Sequence, residues 1–368
     1  MEKLTDMKTA LWLVGFVGLL ACDANAQPPE NIPLTPRPHM NAETLALYNR
    51  IRTAPGWLAG TGAFVERDPA TQRFIPADCS RETRRWKELY DRMPACYEWE
   101  VAERADPTYH RDWAGARAWS DQGGVPWFMC SLKNFTAPHG PRRQGSCNDH
   151  TGWLDPVLPG GLHHDEFVSY MTQLAKEFRA FGRPCVFRPF HEMNGRWFWW
   201  GGQPEKLKQI WRFTFDLFRR EKVDNLIWCW AASGDSDAIP FYPGDDVVDI
   251  IGTDQYFDGP ALPDKVHATL NALVKIGKDK PVFLAELGPM ARADFWKNAP
   301  AEFKSIPRLR GFNVWFARGW RPWGGDPERG SMIDETSPRD VMAAFKAFLS
   351  NPQTITLERF AVSARSPK

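Results

Sequence analysis

Short apolar runs alternate with amphipathic segments along most of the chain. Apolar side chains spaced three and four positions apart, with Pro or Asp near the start, predict helices over residues 165–181, 204–222, 263–277 and 338–350. The strand-like runs are 56–65, 95–101, 125–132, 185–190, 225–231, 248–254, 281–285 and 311–316. Since a crossover helix forces the two strands it joins to pair in parallel, the pattern predicts one α/β domain, a (β/α)8 TIM barrel.

Two of the apolar runs are followed by a single carboxylate, Glu192 after the fourth run and Glu286 directly after the seventh. The carboxyl ends of barrel strands meet at one face of the barrel, so these two acids should lie close together. Alternation with a period of two predicts a shared face for Val186, Arg188, Phe190 and Glu192, and another for Val282, Leu284 and Glu286.

Aromatic side chains follow Glu192 directly. Residues 197–200 are Trp, Phe, Trp and Trp, and Gly201 and Gly202 come next. Flat rings in a glycine-containing loop suit the stacking of sugar faces, and a carboxyl group among rings should have a raised pKa. Glycoside hydrolysis needs one protonated carboxyl group to donate to the leaving oxygen and a second carboxylate to attack or to activate water.

The stretch His191-Glu192-Met193-Asn194-Gly195, followed by the aromatic residues 197–200, resembles the acid/base signature of glycoside hydrolase family 26, which includes many β-mannanases. The similarity extends over roughly residues 85–350 and takes in residues 159–165, Asp254-Gln255-Tyr256 and Trp315. It implies Glu192 as acid/base and Glu286 as nucleophile, on barrel strands four and seven. It also implies a retaining mechanism, for which the two carboxyl groups must lie about 5 to 5.5 Å apart.

Several other residues are expected to support this pair. A buried Arg188 needs an anionic partner, either Glu286 or another buried acid. The resemblance implies that Tyr256, which shares the parity of Asp254, donates to Glu286. His191 has the opposite parity, so it steadies Glu192 or touches substrate only if the strand end twists, and is otherwise a structural histidine. Asn194 belongs to the motif, and the sugar-stacking candidates are Trp197, Trp315 and Trp153.

One position departs from the family pattern. A Trp-His pair typical of the family at the end of strand three is replaced here by Ser131-Leu132-Lys133-Asn134-Phe135. Lys133 is therefore predicted to contact a sugar hydroxyl or an unusual substituent, and the alternative is an ion pair with a loop acid at the rim.

The N-terminal residues predict export. Lys8 precedes an apolar run to Ala21 that is too short to span a bilayer comfortably, which disfavours a retained anchor and indicates a signal peptide over residues 1–26. Cleavage after Ala26 competes with lipidation of Cys22 in a lipoprotein-like box, so the protein is expected to be periplasmic or extracellular, or tethered to a membrane. Residues 27–50, with five prolines by Met40, are predicted to be extended, and 51–368 to form the catalytic domain.

Composition excludes some partners and leaves others open. With 46 basic and 45 acidic residues the net charge is +1, and no Lys/Arg-rich run is present, so nucleic acid is not an expected partner. Export permits disulfides, and Cys79–Cys96 and Cys130–Cys147 are plausible pairs. No Cys/His spacing typical of zinc occurs, and in residues 163–165 Asp165 suits a helix N-cap better than a metal, so neither metal nor cofactor is predicted.

The sequence thus predicts an exported retaining glycoside hydrolase that cleaves β-1,4-mannosidic linkages in mannan-type polysaccharides or oligosaccharides. β-1,3-Xylan and mixed-linkage β-glucan are alternative substrates for the same mechanism. A carbohydrate-binding barrel without catalysis is the other class. Two apposed acids favour the enzyme, because their mutual repulsion costs stability that a binding protein need not spend.

Overall fold

Eight parallel strands close into a barrel in this computed structural model, which describes residues 36–62, 66–67, 74–75, 79–101, 111–135, 154–234, 237–277, 279–289, 292–314 and 338–365. The barrel strands are β1 Trp57–Gly62, β2 Cys96–Glu100, β3 Val125–Cys130, β4 Cys185–Pro189, β5 Leu226–Ser233, β6 Ile250–Phe257, β7 Val282–Pro289 and β8 Leu309–Val314. Each strand pairs with the next along the chain, and β8 closes the barrel onto β1. The predicted (β/α)8 barrel is confirmed.

Helices surround the barrel. They are α1 Ala42–Arg52, α2 Cys79–Tyr90, α3 Trp113–Asp121, α4 His164–Phe181, α5 Pro204–Arg220, α6 Asp264–Ile276, α7 Ala293–Ser305, α8 Arg339–Ser350 and α9 Leu357–Arg365. The four predicted helices agree with α4, α5, α6 and α8 to within about two residues at each end, as expected for helix boundaries. No helix in the described part of the chain is long and apolar enough to cross a lipid bilayer.

Alternate residues of each strand pack into two layers, as a pleated strand requires. The barrel interior is filled from opposite strands, and the rings of Trp127 on β3 and Phe283 on β7 lie 5.0 Å apart across it. The outer layer packs against the helices, where Phe187 on β4 stacks on Phe218 of α5 at 5.5 Å. Trp228 and Trp230, whose residue type suits either a core or a sugar site, are both buried in the outer layer.

The segment before the barrel is helical in part, so the predicted extended conformation of residues 27–50 is wrong from Ala42 onward. Asn41 caps helix α1 by accepting a hydrogen bond from the Thr44 amide at 2.9 Å. Tyr48 and Ile51, one face of this helix, are buried in the same cluster as the barrel interior. The barrel unit therefore begins before residue 51. Residues 1–35 lie outside the described residues, so the signal peptide, the fate of Cys22 and cleavage after Ala26 stay predictions.

The predicted Cys79–Cys96 disulfide is wrong, because Cys96 is a buried free thiol on β2. Burial raises the pKa of this thiol, so it is held as a neutral, poorly reactive group. Cys147 lies outside the described residues, and its pairing with Cys130 stays a prediction.

A buried ionic cluster fastens the segment before α1 to the barrel. Arg37 Nε lies 2.8 Å from Asp249 Oδ1, an ion pair without hydrogen-bond geometry between these two atoms. His39 lies 3.0 Å from the other oxygen of Asp249, which also accepts from the Trp228 amide at 2.8 Å. All four residues are buried. Removing one partner of such a pair leaves a charge uncompensated in a desolvated site.

We expect Arg37→Ala to lower the free energy of unfolding by about 3 kcal/mol, because Asp249 then loses its guanidinium partner in the interior. Arg212→Ala is the matched control: Arg212 forms an exposed pair with Asp246 at 2.8 Å, and its loss should cost less than about 1 kcal/mol. Urea unfolding of both variants measures the difference. Equal losses in the two would contradict an anchoring role for Arg37.

Candidate active site

The turn that follows β4 carries Glu192. The strand ends at Pro189, and both Phe190 and Glu192 adopt left-handed backbone angles, with φ of 51° and 52°. Such angles cost a non-glycine residue roughly 1 to 2 kcal/mol and persist only where the surroundings impose them. Alternation therefore stops at the strand end. Phe190 packs among the outer rings Trp200 and Trp211, so its predicted place on the face of Arg188 is wrong.

Hydrogen bonds fix this turn to the neighbouring strand β5. The Glu192 amide donates to the Ala231 carbonyl at 2.9 Å. Asn194 clips the turn further along: its Nδ2 donates to the Ser233 carbonyl at 2.7 Å, and its Oδ1 accepts from the Ser233 amide at 2.8 Å. Asn194 thus supports the position of Glu192 through the backbone.

Trp197 is the aromatic residue that reaches Glu192. Its indole Nε1 donates to Glu192 Oε2 at 2.5 Å, and 37% of the residue is exposed. Gly195 makes room for this ring, since a Cβ there would lie 2.4 Å from the indole. Trp199 and Trp200 are fully buried, and Phe198 stacks on Trp200 at 4.5 Å. The aromatic run is therefore mostly a packed floor, with Trp197 presented above it.

His191 is part of this floor. Its ring is buried, 4.7 Å from Phe198 and 5.8 Å from Trp200, and its Nδ1 has no hydrogen-bond partner among the described residues. Burial, together with the charge of Arg188, lowers the pKa of His191 well below its usual value. A neutral structural imidazole fits these contacts.

Glu286 reaches the barrel interior through an irregularity in β7. Thr253 of β6 pairs with Leu284 but Asp254 pairs with Glu286, so one extra residue, Ala285, is inserted in β7. A bulge of this kind reverses the alternation beyond it. The predicted face shared by Val282, Leu284 and Glu286 is consequently wrong: the first two pack outward against the helices, while Glu286 lies inside with Arg188.

Arg188 gathers three carboxyl groups inside the barrel. Its Nη2 donates to Glu286 at 2.6 Å, its Nη1 to Asp254 at 2.8 Å, and its Nε to Glu98 at 2.9 Å. The predicted Arg188–Glu286 pair is confirmed. Arg188 also pairs with other buried acids, Asp254 and Glu98, which was the alternative prediction. Sequence reasoning missed Glu98, although the alternation of Cys96, Glu98 and Glu100 along β2 could have placed it inward.

Protonation states in this cluster depend on burial and on mutual charge. Burial raises the pKa of Asp254 well above its usual range, against the attraction of Arg188 and with the repulsion of Glu286. Burial would lower the pKa of Arg188, but Asp254, Glu98 and Glu286 together raise it well above its usual value. Tyr256 donates its hydroxyl to Glu286, as predicted, and burial and the Glu286 charge raise the pKa of Tyr256. Tyr256 and Arg188 thus stay protonated and act as hydrogen-bond donors to Glu286.

One oxygen from each of Glu192, Asp254 and Glu286 lies within 4.8 Å of the others. Among the described residues, this is the group whose spacing could hold a cation. Arg188 already donates to two of the three and supplies positive charge at that place, so we assign no metal.

Lys133 forms an ion pair with an acid at the rim of the barrel, which was the alternative prediction to a sugar contact. Its ammonium is 3.1 Å from Glu166 Oε1 and 5.2 Å from the centre of the Phe135 ring. Glu166 belongs to the first turn of α4, where His163 occupies the N-cap position, so the predicted N-cap at Asp165 is wrong by two residues. Trp153 and Trp315 lie outside the described residues, and their stacking roles stay predictions.

A closed (β/α)8 barrel with two facing acids at the ends of strands four and seven defines a class, the glycoside hydrolase barrels. The sequence model of glycosyl hydrolase family 26 matches residues 78–312. This protein therefore belongs to glycosyl hydrolase family 26.

Similar proteins agree with this membership. The chain is 28% identical over 240 residues to the mannan endo-1,4-β-mannosidase of Bifidobacterium adolescentis, covering 56% of this chain and 24% of that protein. It is 31% identical over 182 residues to the mannan endo-1,4-β-mannosidase of Bacillus subtilis, covering 45% of this chain and 48% of that one. The chain thus spans half or less of these curated relatives. A double mutant of the Cellulomonas fimi endo-β-1,4-mannanase superposes with a TM-score of 0.68 at 24% identity, covering 88% of this chain and 78% of that one, and shows the same fold.

Substitution at Lys133 tests its place at the rim. A double-mutant cycle of Lys133→Ala and Glu166→Ala should give a coupling energy below about 1 kcal/mol, because both side chains are partly exposed to solvent. Thermal unfolding of the two single variants and the double variant measures it. A large change in the ranking of β-glycans hydrolysed by Lys133→Ala would instead return Lys133 to substrate contact.

Proposed function

We propose that this protein is an exported retaining glycoside hydrolase that cleaves β-1,4-mannosidic linkages in mannan-type polysaccharides or oligosaccharides. The observation that carries the proposal is the facing pair of acids, whose nearest oxygens come within 4.8 Å, beside the partly exposed Trp197 ring. That separation suits retention, which needs carboxyl groups about 5 to 5.5 Å apart, better than inversion, which needs about 6.5 to 9.5 Å.

In the first step, Glu286 attacks the anomeric carbon while the bond from that carbon to the leaving oxygen breaks. Glu192 gives its proton to the leaving oxygen and becomes a carboxylate. The sugar is then held on Glu286 as an ester, and the mechanism needs no cofactor. In the second step Glu192 takes a proton from water as the water oxygen attacks the same carbon, and Glu286 leaves as the free carboxylate.

The surroundings of Glu286 suit a nucleophile. Arg188 donates to one of its oxygens and Tyr256 to the other, so both oxygens of the carboxyl group are held in position before substrate arrives. Hydrogen bonds to the charged form of a carboxylate favour that form. Positive charge at Arg188 also stabilises the carboxylate that is regenerated when the ester is hydrolysed.

The surroundings of Glu192 suit a group that changes protonation state in each step. Trp197 donates to its Oε2 at 2.5 Å, and this donor becomes a charge-assisted bond once the proton has left for the leaving group. The exposed face of the same indole offers apolar surface for a sugar ring, so Trp197 couples binding to the acid/base group.

Mannan is the substrate that the relatives support, since both curated relatives described above are mannan endo-1,4-β-mannosidases. β-1,3-Xylan and mixed-linkage β-glucan are the alternative outcomes of a substrate panel. A non-catalytic binding barrel has no use for the hydrogen-bonded nucleophile site that Arg188 and Tyr256 build around Glu286.

We expect Glu192→Ala and Glu286→Ala each to lower kcat on β-mannan by at least about 1,000-fold, because each removes a group that reacts in the transition state. Reducing-end release from mannan, xylan and mixed-linkage glucan measures the activity. Azide should rescue Glu286→Ala to an inverted glycosyl azide, and Glu192→Ala to a retained one on an activated aryl glycoside.

Glu205→Ala is the control, since Glu205 lies in the first turn of α5 and pairs with Lys208 in solvent. It should keep wild-type activity. Azide products with the two stereochemistries exchanged would reverse the roles of the two acids, and near-wild-type activity in both variants would refute the site.

Export is tested at the mature N-terminus, because Cys22 and Ala26 mark competing processing points. Mass spectrometry of protein isolated from a secreting bacterial host should show either a chain that starts at Gln27 or a diacylglyceryl group on Cys22. Soluble protein that retains residues 1–26 would contradict both forms of export.

A further inference from the structure

Glu98 and Asp254 are the two buried acids beside Arg188 that the proposed mechanism does not use, and Glu98 is the one that sequence reasoning missed. It lies on β2 with its side chain inside the barrel, and Arg188 Nε donates to its Oε1 at 2.9 Å. Its other oxygen, Oε2, is buried and has no hydrogen-bond partner among the described residues, and Asp254 Oδ1 is in the same situation. An ionised carboxylate would leave negative charge on that oxygen without a donor in a desolvated place.

The charges around Glu98 do not balance if every acid is ionised. One guanidinium faces three carboxyl groups, those of Glu98, Asp254 and Glu286, and all four groups are buried. Titratable groups that face Glu98 or its partners come from several elements: Cys96 and Glu100 on β2, Arg188 on β4, Glu192 and His191 after β4, Cys229 on β5, Asp254 and Tyr256 on β6, and Glu286 on β7. Within this set Arg188 alone is a permanent cation.

We propose that Glu98 is a positioning residue for the nucleophile, acting through Arg188, and that it carries the spare proton of this buried cluster while Glu286 is ionised. Protonated Glu98 still accepts from Arg188 Nε through its carbonyl oxygen, which directs the other two arms of the guanidinium to Asp254 and Glu286. Burial and the charge of Glu286 raise the pKa of Glu98 to about 7, against the attraction of Arg188. The positioning role rests on the proposed function, whereas the location of the proton does not.

Two substitutions of Glu98 distinguish the effect of its hydrogen-bond acceptor from the effect of its proton. Glu98→Gln keeps an oxygen for Arg188 Nε and copies the neutral acid, so kcat on an aryl β-mannobioside should stay within about threefold of wild type. Glu98→Leu removes the acceptor and leaves Arg188 Nε unpaired, so kcat should fall by at least about tenfold with little change in KM. A Glu98→Leu variant that folds and keeps wild-type kcat would overturn the positioning role.

The acid limb of the pH–rate profile adds a second kinetic readout. Because Glu98 is already neutral there, Glu98→Gln should leave the limb in place. If Glu98 were instead ionised at these pH values, removing its charge would move the limb to lower pH, and that result would overturn the proposal.

The proton itself is located without any activity. Infrared difference spectra of the full-length protein, titrated from about pH 5 to about pH 9, should show a band of a protonated carboxyl group that disappears near neutral pH. The band should be missing in Glu98→Gln and present in Asp254→Asn. A band lost in Asp254→Asn and kept in Glu98→Gln would place the proton on Asp254 and refute the assignment.

Unfolding gives the same answer by linkage. A carboxyl group whose pKa is raised on folding contributes stability that is present below its unfolded pKa and is lost as the pH rises through its folded pKa. The Tm of Glu98→Gln should therefore rise relative to wild type between about pH 4.5 and about pH 7.5. Glu177→Gln, in the partly exposed Arg111–Glu177 pair, is the control and should show no such trend. A Tm of Glu98→Gln that falls relative to wild type over this range would mean that Glu98 is an anion in the folded protein.

If no β-glycan is cleaved, the proposed function fails. The infrared spectra and the unfolding experiment would still decide which carboxyl group carries the proton.

Discussion

The buried guanidinium of Arg188 is the interaction on which the rest of the site depends. It lies where strands β2, β4, β6 and β7 each place a charged side chain in the barrel interior. Burying one uncompensated ion costs several kcal/mol even after relaxation, so the three acids cannot stay together without a cation. Holding a proton on a carboxyl group costs only about 1.4 kcal/mol for each pH unit above its ordinary pKa. A proton retained on one of the three acids, as proposed above for Glu98, is therefore the less costly arrangement, and the Arg188 Nη2 hydrogen bond orients Glu286.

Two irregularities of the backbone bring Glu192 and Glu286 close to this cation. Glu192 follows a left-handed turn that Asn194 clips to β5, and Glu286 follows the bulge at Ala285. Regular strands would have met neither requirement, because strict alternation in β7 sends the residue at position 286 outward with Leu284. The strain in the turn is held by hydrogen bonds from β5 and by the ring packing beneath it. The positions of Glu192 and Glu286 thus depend on departures from regular strand geometry.

These departures mark the limit of what could be predicted from the sequence. Periodicity predicted the eight strands and the four helices α4, α5, α6 and α8, and the lone carboxylates at two strand ends singled out Glu192 and Glu286. The predicted strand faces were wrong for Phe190 and for Glu286, because neither a left-handed residue nor a bulge leaves a trace in the hydrophobic pattern. Glu98 was missed for a different reason: alternation along β2 could have placed it inward, but its role is recognisable only once its partner Arg188 is known to lie across the barrel. Helix α1 was hidden by the prolines that precede it.

The aromatic residues illustrate how packing and chemistry share one stretch of sequence. Trp199 and Trp200 are fully buried, and the Trp200 indole donates to the His191 carbonyl at 2.9 Å, which fixes the backbone beside Glu192. Buried rings lose little conformational freedom and bury large areas, so they make a rigid support for the strained turn. Trp197 can then remain half-exposed above them, with its indole donor on Glu192 and its face toward solvent. Because the Trp197 indole donates to Glu192 Oε2, any ligand that moved this ring would also change the orientation of the Glu192 carboxyl group.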